Sequence, residues 1–274
     1  MSETNISFSG SIPELYDRHL GPVMFEPYAE DLTRRIATTP DGAVLEIACG
    51  TGIVTQRLRA HLDPAVHLVA TDLSQPMIDY ARATKFPVDS PHLEWKQADA
   101  ANLPFSDASF AVVACQFGIM FVPDKPAAFR EARRVLAPGG LFAFNVWDSL
   151  MNNPYARIAQ ETVAGFFPTD PPKFFEVPWG FYNQDTLRNL LTDHGFEHLQ
   201  IEQVALEAHS TSARSLATGL VQGSPLSLAI QERGGSFAPI VEAVTAAFSR
   251  LGGATPFRSS MQAVVVTARA GKVG

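Results

Sequence analysis

The sequence lacks a long apolar stretch. Its longest apolar-looking run, Ala111–Val122, already contains Gln116 and Gly118. A membrane-spanning helix needs about 20 apolar residues, so no membrane span is expected. The N-terminal residues MSETNISFSGSIPELYDRHL have neither a basic start nor an apolar core. They do not read as a signal peptide, and a cytoplasmic location is the expectation. Cysteine is scarce: Cys49 and Cys115 are the two in 274 residues, and both fall in apolar runs. Buried thiols acting as small hydrophobes are expected, with neither disulfide nor metal-ligand spacing. There is no Lys/Arg block and the net charge is −7, so no nucleic-acid partner is expected. Internal repeats and low-complexity tracts are missing too. What is left is an acidic globular chain, 46% hydrophobic and 18% charged. It suits a small-molecule ligand and is long enough for one large domain or two small ones.

Short apolar runs alternate with helical patterns. Val44–Ala48, His67–Asp72, Leu93–Asp99, Phe110–Phe117 and Leu141–Trp147 have the length and composition of strands in a covered parallel sheet. Between them lie helix signals. Ser74 can cap a helix over Ser74–Ala83, with Met77, Ile78 and Ala81 on its apolar side. Asp124 can cap Asp124–Ala137, where Phe129, Ala132, Val135 and Leu136 recur at helical spacing and Pro-Gly-Gly follows. This alternation predicts a doubly wound α/β sheet. Leu150–Gly180, rich in proline and aromatics, reads as an irregular insertion. Asn183–Gly195 returns to a helix and Leu199–Leu206 to a strand. Ser212–Leu251 looks helical with two breaks, and Met261–Ala268 is a last strand.

The junction VLEIACGTGIVTQRL, Val44–Leu58, asks for a ligand. Glycines where a strand hands over to a helix let backbone approach a ligand closely. The new helix presents free N–H groups there. The dinucleotide pattern G-x-G-x-x-G matches only in part, because its third glycine is Thr55. The competing frame is E-x-A-C-G-T-G, led by Glu46. Asp72 ends the second run, where an acid can accept from ribose hydroxyls. Asp99 and Ala100 end the third, where a carboxylate and a backbone N–H suit the adenine edge.

Together these segments resemble the class I S-adenosylmethionine-dependent methyltransferases, in particular the ubiquinone/menaquinone-biosynthesis-like small-molecule branch. The matching stretches are VLEIACGTG, VATDLSQPMIDYARA, QADAANLPFSDASFAVVACQFGIMFVPD, FREARRVLAPGGLFAFNVW and LRNLLTDHGF. The resemblance implies a Rossmann-like, seven-stranded, mostly parallel sheet whose last strand is antiparallel, with helical and irregular cap insertions. One methyltransferase domain over 1–274 is expected, with its core at about 40–147, 181–206 and 261–270. An N-terminal lid would cover 11–37, and a cap 148–180 and 211–255. The implied cofactor is S-adenosyl-L-methionine. Glu46, Ala48, Gly50, Thr51 and Gly52 would line its methionine part, and Asp72 would hold the ribose. Leu73 and Met77 would pack near the adenine, and Asp99 and Ala100 would read its edge. Gln116 and Phe117 would contact the methionyl amine. Tyr16, in the lead-in Leu15–Leu32, would approach the cofactor; the alternative is a first amphipathic helix with Tyr16 in its core.

The acceptor is expected to be an apolar or aromatic small molecule methylated at oxygen or carbon. Positioning behind an electrophilic methyl carries such chemistry. His19 is the candidate base, because histidine titrates near neutrality; otherwise it is a packing histidine. Met120, Phe121, Trp147, Phe175 and Trp179 are candidate substrate walls, and the alternative for the loop aromatics is that they anchor the loop. The helices of Ser212–Leu251 either close the pocket or form a homodimer face. Two other readings remain. One is a nicotinamide-dependent oxidoreductase, against which Thr55 counts. The other is a non-catalytic cofactor-binding relative.

Overall fold

The computed structural model describes residues 8–36, 41–86, 88 and 90–271. Residues 1–7, part of the stretch read as lacking a signal peptide, lie outside the described residues. So do the lid's last residue, 37, and the core's first, 40. In chain order the elements are α1 (Ile12–Leu15), a π-helical segment (Tyr16–Phe25), α2 (Glu26–Ile36), β1 (Val44–Ile47), α3 (Ile53–His61), β2 (Leu68–Asp72), α4 (Gln75–Lys85), β3 (Leu93–Gln97) and β4 (Phe110–Gln116). There follow α5 (Lys125–Val135), β5 (Leu136–Trp147), α6 (Pro154–Ala164), α7 (Gln184–Asp193), β6 (Phe196–Ser210), α8 (Ala213–Gln222), α9 (Leu226–Glu232), α10 (Phe237–Gly252) and β7 (Phe257–Ala270). Among the described residues no helix is long and apolar enough to cross a membrane.

The chain forms two compact units. One comprises Tyr28–Trp147, Phe181–Val204 and Ala263–Gly274. Its seven-stranded sheet runs β3-β2-β1-β4-β5-β7-β6. β1 pairs in parallel with β2 and β4, β2 with β3, and β4 with β5, whereas β7 runs antiparallel to β5. Strand order therefore reverses between β1 and β4. In open α/β sheets this is the point where ligands lie, outside the carboxyl ends of the strands.

The central strands β1, β2 and β4 are buried along nearly their whole length, which is why they read as apolar runs rather than alternating ones. On α5, Phe129 meets Phe142 and Phe144 edge-on, at 5.8 and 5.6 Å. On α4, Ile78 packs against Cys49, Ala70, Leu93 and Trp95. The Asp124 side chain accepts from the Ala127 N–H and starts α5, as its sequence position predicts. Ser74 sits at the N-cap of α4 but makes no side-chain cap bond. Asp72 accepts the N–H of Ser74 itself, at 2.8 Å, just ahead of the helix.

The other unit comprises Met1–Pro27, Asp148–Gly180 and Ala205–Gln262. Its helices α8 and α10 bury Leu216, Leu220, Ile240, Val244 and Phe248. Gly219 lets α8 approach the π-helical segment, since a Cβ there would lie 2.6–2.7 Å from the Leu20 and His19 side chains. That segment contains Pro22, which has no N–H for an α-type ladder. The Glu26 N–H closes on the Gly21 carbonyl five residues back, a widening the helical lead-in pattern does not signal. The irregular insertion expected over 150–180 is corrected at Pro154–Ala164, which is α6. Pro154 occupies its first turn, where a missing N–H costs nothing. Tyr155, Ala156, Ala159 and Val163 are buried at helical spacing. β6 and β7 also run further than the apolar patterns at 199–206 and 261–268.

One contact holds the tips of β1 and β4 together. A Cβ on Gly118 would lie 2.2 Å from the Ala48 Cβ, and Ala48 itself has φ of +54°. Gly118→Ala is expected to lower stability by about 1–3 kcal/mol, the usual cost of overpacking. Ala48→Gly removes both the clash and the left-handed alanine, so the double variant should recover most of that loss. Urea unfolding of the two single variants and the double variant checks this. Equal losses in Gly118→Ala and the double variant would rule the contact out.

Candidate functional site

After β1 the chain turns through a run of left-handed residues: Ala48 at φ +54°, Gly50 at +54° and Gly52 at +80°. The Cys49 N–H still donates to the Thr71 carbonyl, at 2.9 Å. The turn is therefore fastened to the neighbouring strand as it leaves the sheet. A Cβ built on Gly50 meets nothing within 4 Å, whereas one on Gly52 would lie 3.0 Å from Ala81. Gly52 is a packing glycine, and Gly50 faces open space. Thr51 is buried between them.

Asp72 closes the corner. Its Oδ2 accepts the Gly50 N–H and its Oδ1 the Ser74 N–H, both at 2.8 Å. An ionised carboxylate has about four acceptor sites; the Leu73 N–H acts on it as well, so room for about one further donor remains. Burial raises the Asp72 carboxyl above the usual carboxylate range, with the Ser74 and Gly50 N–H bonds pulling the other way. Glu46 is 1% exposed. Burial pushes its carboxyl up to about 8, and the Asp72 charge adds to the rise. Thr55 donates to Glu46 Oε2 at 2.6 Å and opposes that rise. Burial likewise pushes the Cys49 thiol well up. Among the described residues, no lysine, arginine or histidine acts on either carboxyl. The corner sets a buried acid, Glu46, beside a part-buried one, Asp72.

Beside it, Leu73 is 66% exposed, an isolated apolar surface next to Asp72, while Met77 is buried in α4. Asp99 is exposed and Ala100 partly buried. Asp99 Oδ1 accepts the Ala101 N–H at 2.8 Å, which fixes a local turn. At the β4 tip, Gln116 is partly buried and Phe117 is buried at φ +51°. The Phe117 ring stacks on Trp147 at 4.0 Å. Tyr28 meets both rings edge-on and anchors its hydroxyl on the Val204 carbonyl. Met120 is buried and Phe121 partly so. Trp147, expected as an open wall, is 1% exposed.

The residues expected from the other unit are packed within it. Tyr16 stacks on Phe25 at 4.6 Å. His19 Nδ1 pairs with Ser215 Oγ at 2.9 Å. Burial lowers the His19 pKa, and Arg18 lowers it further, so the ring is neutral near pH 7. Phe175 and Trp179 are buried, at 1% and 4% exposure. They tilt against each other at 5.5 Å, with Tyr155 edge-on to Trp179. This packing anchors the insertion. Three residues of the first unit's site were not singled out as functional from sequence: Tyr28, Asn145 and, as Glu46's partner, Thr55. The signal for Asn145 was a lone amide inside LFAFNVW; Tyr28 carries none that separates it from an ordinary core tyrosine.

Residues 44–140 match the methyltransferase domain family. A demethylmenaquinone methyltransferase of Lactobacillus johnsonii is 29% identical over 175 residues, which is 60% of this chain and 71% of that protein. A ubiquinone/menaquinone biosynthesis C-methyltransferase of Ectopseudomonas mendocina is 29% identical over 171 residues, covering 58% of this chain and 67% of that one. In structure, phosphoethanolamine N-methyltransferase 2 of Haemonchus contortus, solved in complex with S-adenosyl-L-methionine, superposes with a TM-score of 0.60. That likeness covers 95% of this chain and 57% of that one at 13% identity, and shows the shared fold. Residues 44–140 therefore carry a methyltransferase domain, and that domain is of the S-adenosylmethionine-dependent kind.

Proposed function

We propose that the cofactor lies across the tips of β2, β1 and β4, and that the enzyme methylates a ring-bearing or enolic apolar small molecule at carbon or oxygen. The observation that carries this reading is the acid pair, buried Glu46 and part-buried Asp72, on which no basic side chain among the described residues acts. A buried carboxylate without a counter-charge is costly. A ligand that brings positive charge offsets the cost, and S-adenosylmethionine brings a sulfonium and an ammonium group. The open space over Gly50 gives backbone access to such a ligand, and the exposed Leu73 an apolar seat for its base.

In this reading the remaining acceptor capacity of Asp72 takes a ribose hydroxyl. Leu73 and Met77 flank the adenine, and Asp99 with Ala100 meets its edge. Glu46, Ala48, Gly50, Thr51, Gly52, Gln116 and Phe117 surround the methionyl end. When bound, the cofactor supplies an electrophilic methyl group on sulfur. The chain's part is to fix the direction of attack and exclude water. Met120 and Phe121, which follow the β4 tip, are the apolar walls on the acceptor side. The relatives named for demethylmenaquinone and for ubiquinone/menaquinone biosynthesis agree with a ring substrate.

Two measurements test this. Asp72→Asn is expected to weaken S-adenosylmethionine binding by about tenfold to a hundredfold, the loss of charge-assisted hydrogen bonds. Calorimetry against S-adenosylmethionine and NADH in parallel reads it. Tight NADH binding, or an unchanged affinity in the variant, would sink the assignment.

The second measurement uses Glu46. Its folded pKa of about 8 lies above the ordinary carboxylate value. Its stabilising proton is therefore fully present at acid pH and lost as pH rises through about 8, so the unliganded protein loses stability over that range. A cationic ligand favours the ionised form, so Glu46 gives up its proton on binding and affinity rises with pH. Calorimetric enthalpies in buffers of different ionisation heat should show proton release near pH 7 in the wild type and much less in Glu46→Gln. Proton uptake would contradict the charge argument.

A further inference from the structure

One polar group at the strand tips, Asn145, has been given no chemical role so far. Asn145 lies on β5, paired in register with Gln116 on β4. Following the side-chain alternation across the sheet, Glu46, Asp72, Gln116 and Asn145 share one face. Asp72 and Gln116 stand one residue pair beyond the level of Glu46 on that face, and Asn145 stands level with Gln116, one strand further along the row. In the reading above, the nucleoside occupies the β2 end of this row and the methionyl group its middle. Asn145 is at the other end, beyond the methionyl group, where the acceptor must sit.

The Asn145 side chain is wholly buried, and its Nδ2 has no hydrogen-bond partner among the described residues. Its orientation is not free to reverse. The Phe117 N–H donates both to the Asn145 carbonyl oxygen, at 3.1 Å, and to Oδ1, at 3.0 Å. A flipped amide would set an NH2 group against that N–H. Phe117 therefore holds Oδ1 in place and leaves the Nδ2 donor unsatisfied. A buried donor without an acceptor is destabilising, and a packing role alone would be met by an apolar residue. A ligand oxygen is the partner this arrangement lacks.

We propose that Asn145 Nδ2 donates to the oxygen of the acceptor substrate, and that this substrate is a phenol or enol. The inference rests on the cofactor placement given above. A donor aimed at that oxygen favours its ionised form, so the nucleophile forms without a strong base. The substrate hydroxyl loses its proton to water. A lone pair on oxygen, or the electron pair of the conjugated carbon, forms the bond to the methyl carbon, and the pair of the broken methyl–sulfur bond stays on sulfur. After attack through carbon, the proton on that carbon leaves to water and restores the conjugated anion. Asn145 donates to the oxygen as an anion before attack, and as a neutral ether or carbonyl oxygen once the methyl group has been transferred.

The test uses the full chain saturated with S-adenosylhomocysteine and 4-nitrophenol as the probe, whose anion absorbs visible light. In the wild type the bound phenol should ionise about one pH unit below the free compound, a tenfold preference for the anion. Asn145→Leu should abolish the shift and weaken anion binding about tenfold, with cofactor affinity by calorimetry within about twofold of wild type. Asn145→Asp, close in shape, keeps an acceptor for the Phe117 N–H and replaces the donor by a carboxylate; it should move the ionisation above that of the free phenol. The same ionisation in all three proteins, or no nitrophenol binding to the wild type, would overturn the proposal. So would a loss of cofactor affinity in Asn145→Leu matching its loss of anion affinity, because the donor would then serve the cofactor. A wild type that binds no S-adenosylmethionine would instead sink the cofactor placement itself.

Discussion

The hydrogen bond from the Gly50 N–H to Asp72 Oδ2 is the interaction on which the site's shape depends. It joins a backbone turn after β1 to a side chain at the end of β2. The turn exists because three residues in five take left-handed backbone, and two of them are glycines, for which that conformation carries no steric cost. Asp72 then spends one oxygen on the turn and the other on the first residue of the next helix segment. A single carboxylate thus sets the relative position of two strand tips. The packing of Gly118 against Ala48 does the same on the β4 side with no polar group at all. The tips of β2, β1 and β4 are locked together from both flanks, and the space over Gly50 stays open between them.

This locking has an electrostatic cost. It brings Glu46 and Asp72 together in a desolvated corner and raises both carboxyls. Proteins usually answer such a cost with an internal lysine or arginine; here Thr55 answers part of it for Glu46 with a neutral hydrogen bond. The remaining demand for positive charge is left for the ligand. That is an economical form of selectivity. A nucleotide carrying phosphates would add negative charge to the same corner, whereas a sulfonium nucleoside removes the conflict. The fold by itself does not decide between these ligands; the sign of the corner does.

The same residue explains why the sequence was legible at this point. Thr55 breaks the dinucleotide pattern, and the structure shows it serving Glu46 instead of giving close helix–strand packing as a third glycine would. The motif mismatch and the acid two residues before the turn were two views of one arrangement. The strands of the sheet were legible for a simpler reason: buried on both faces, β1, β2, β4 and β5 spell themselves as apolar runs. Legibility failed where local pattern and burial part company. α6 was hidden because Pro154 reads as a breaker although it stands in a first turn. The π-helical widening around Pro22 has no periodic signature distinct from an α-helix. Trp147, Phe175 and Trp179 read as open walls because composition reports that aromatics cluster, not which way they face. In the structure they face one another or other rings.

Asn145 belongs to a third case, legible in part. A lone amide among aromatic and aliphatic residues announces itself as an anomaly, but its meaning lies in a hydrogen-bond count. The Phe117 N–H takes one end of the amide, and the other end is left buried with nothing to bind. Its place on β5 also separates the two halves of the chemistry in space. In the proposed placement, residues at the tips of β2, β1 and β4 answer to the cofactor, whose charge and shape are the same whatever is methylated. One strand further, the proposed demand changes from a positive ligand to an oxygen acceptor, beside the stacked rings of Phe117 and Trp147. A wall of rings with a single fixed N–H donor discriminates by where an oxygen sits on an otherwise greasy molecule. Substrate choice can then drift through the ring positions while the acid corner and its glycine turn stay under the constraint of the sulfonium charge.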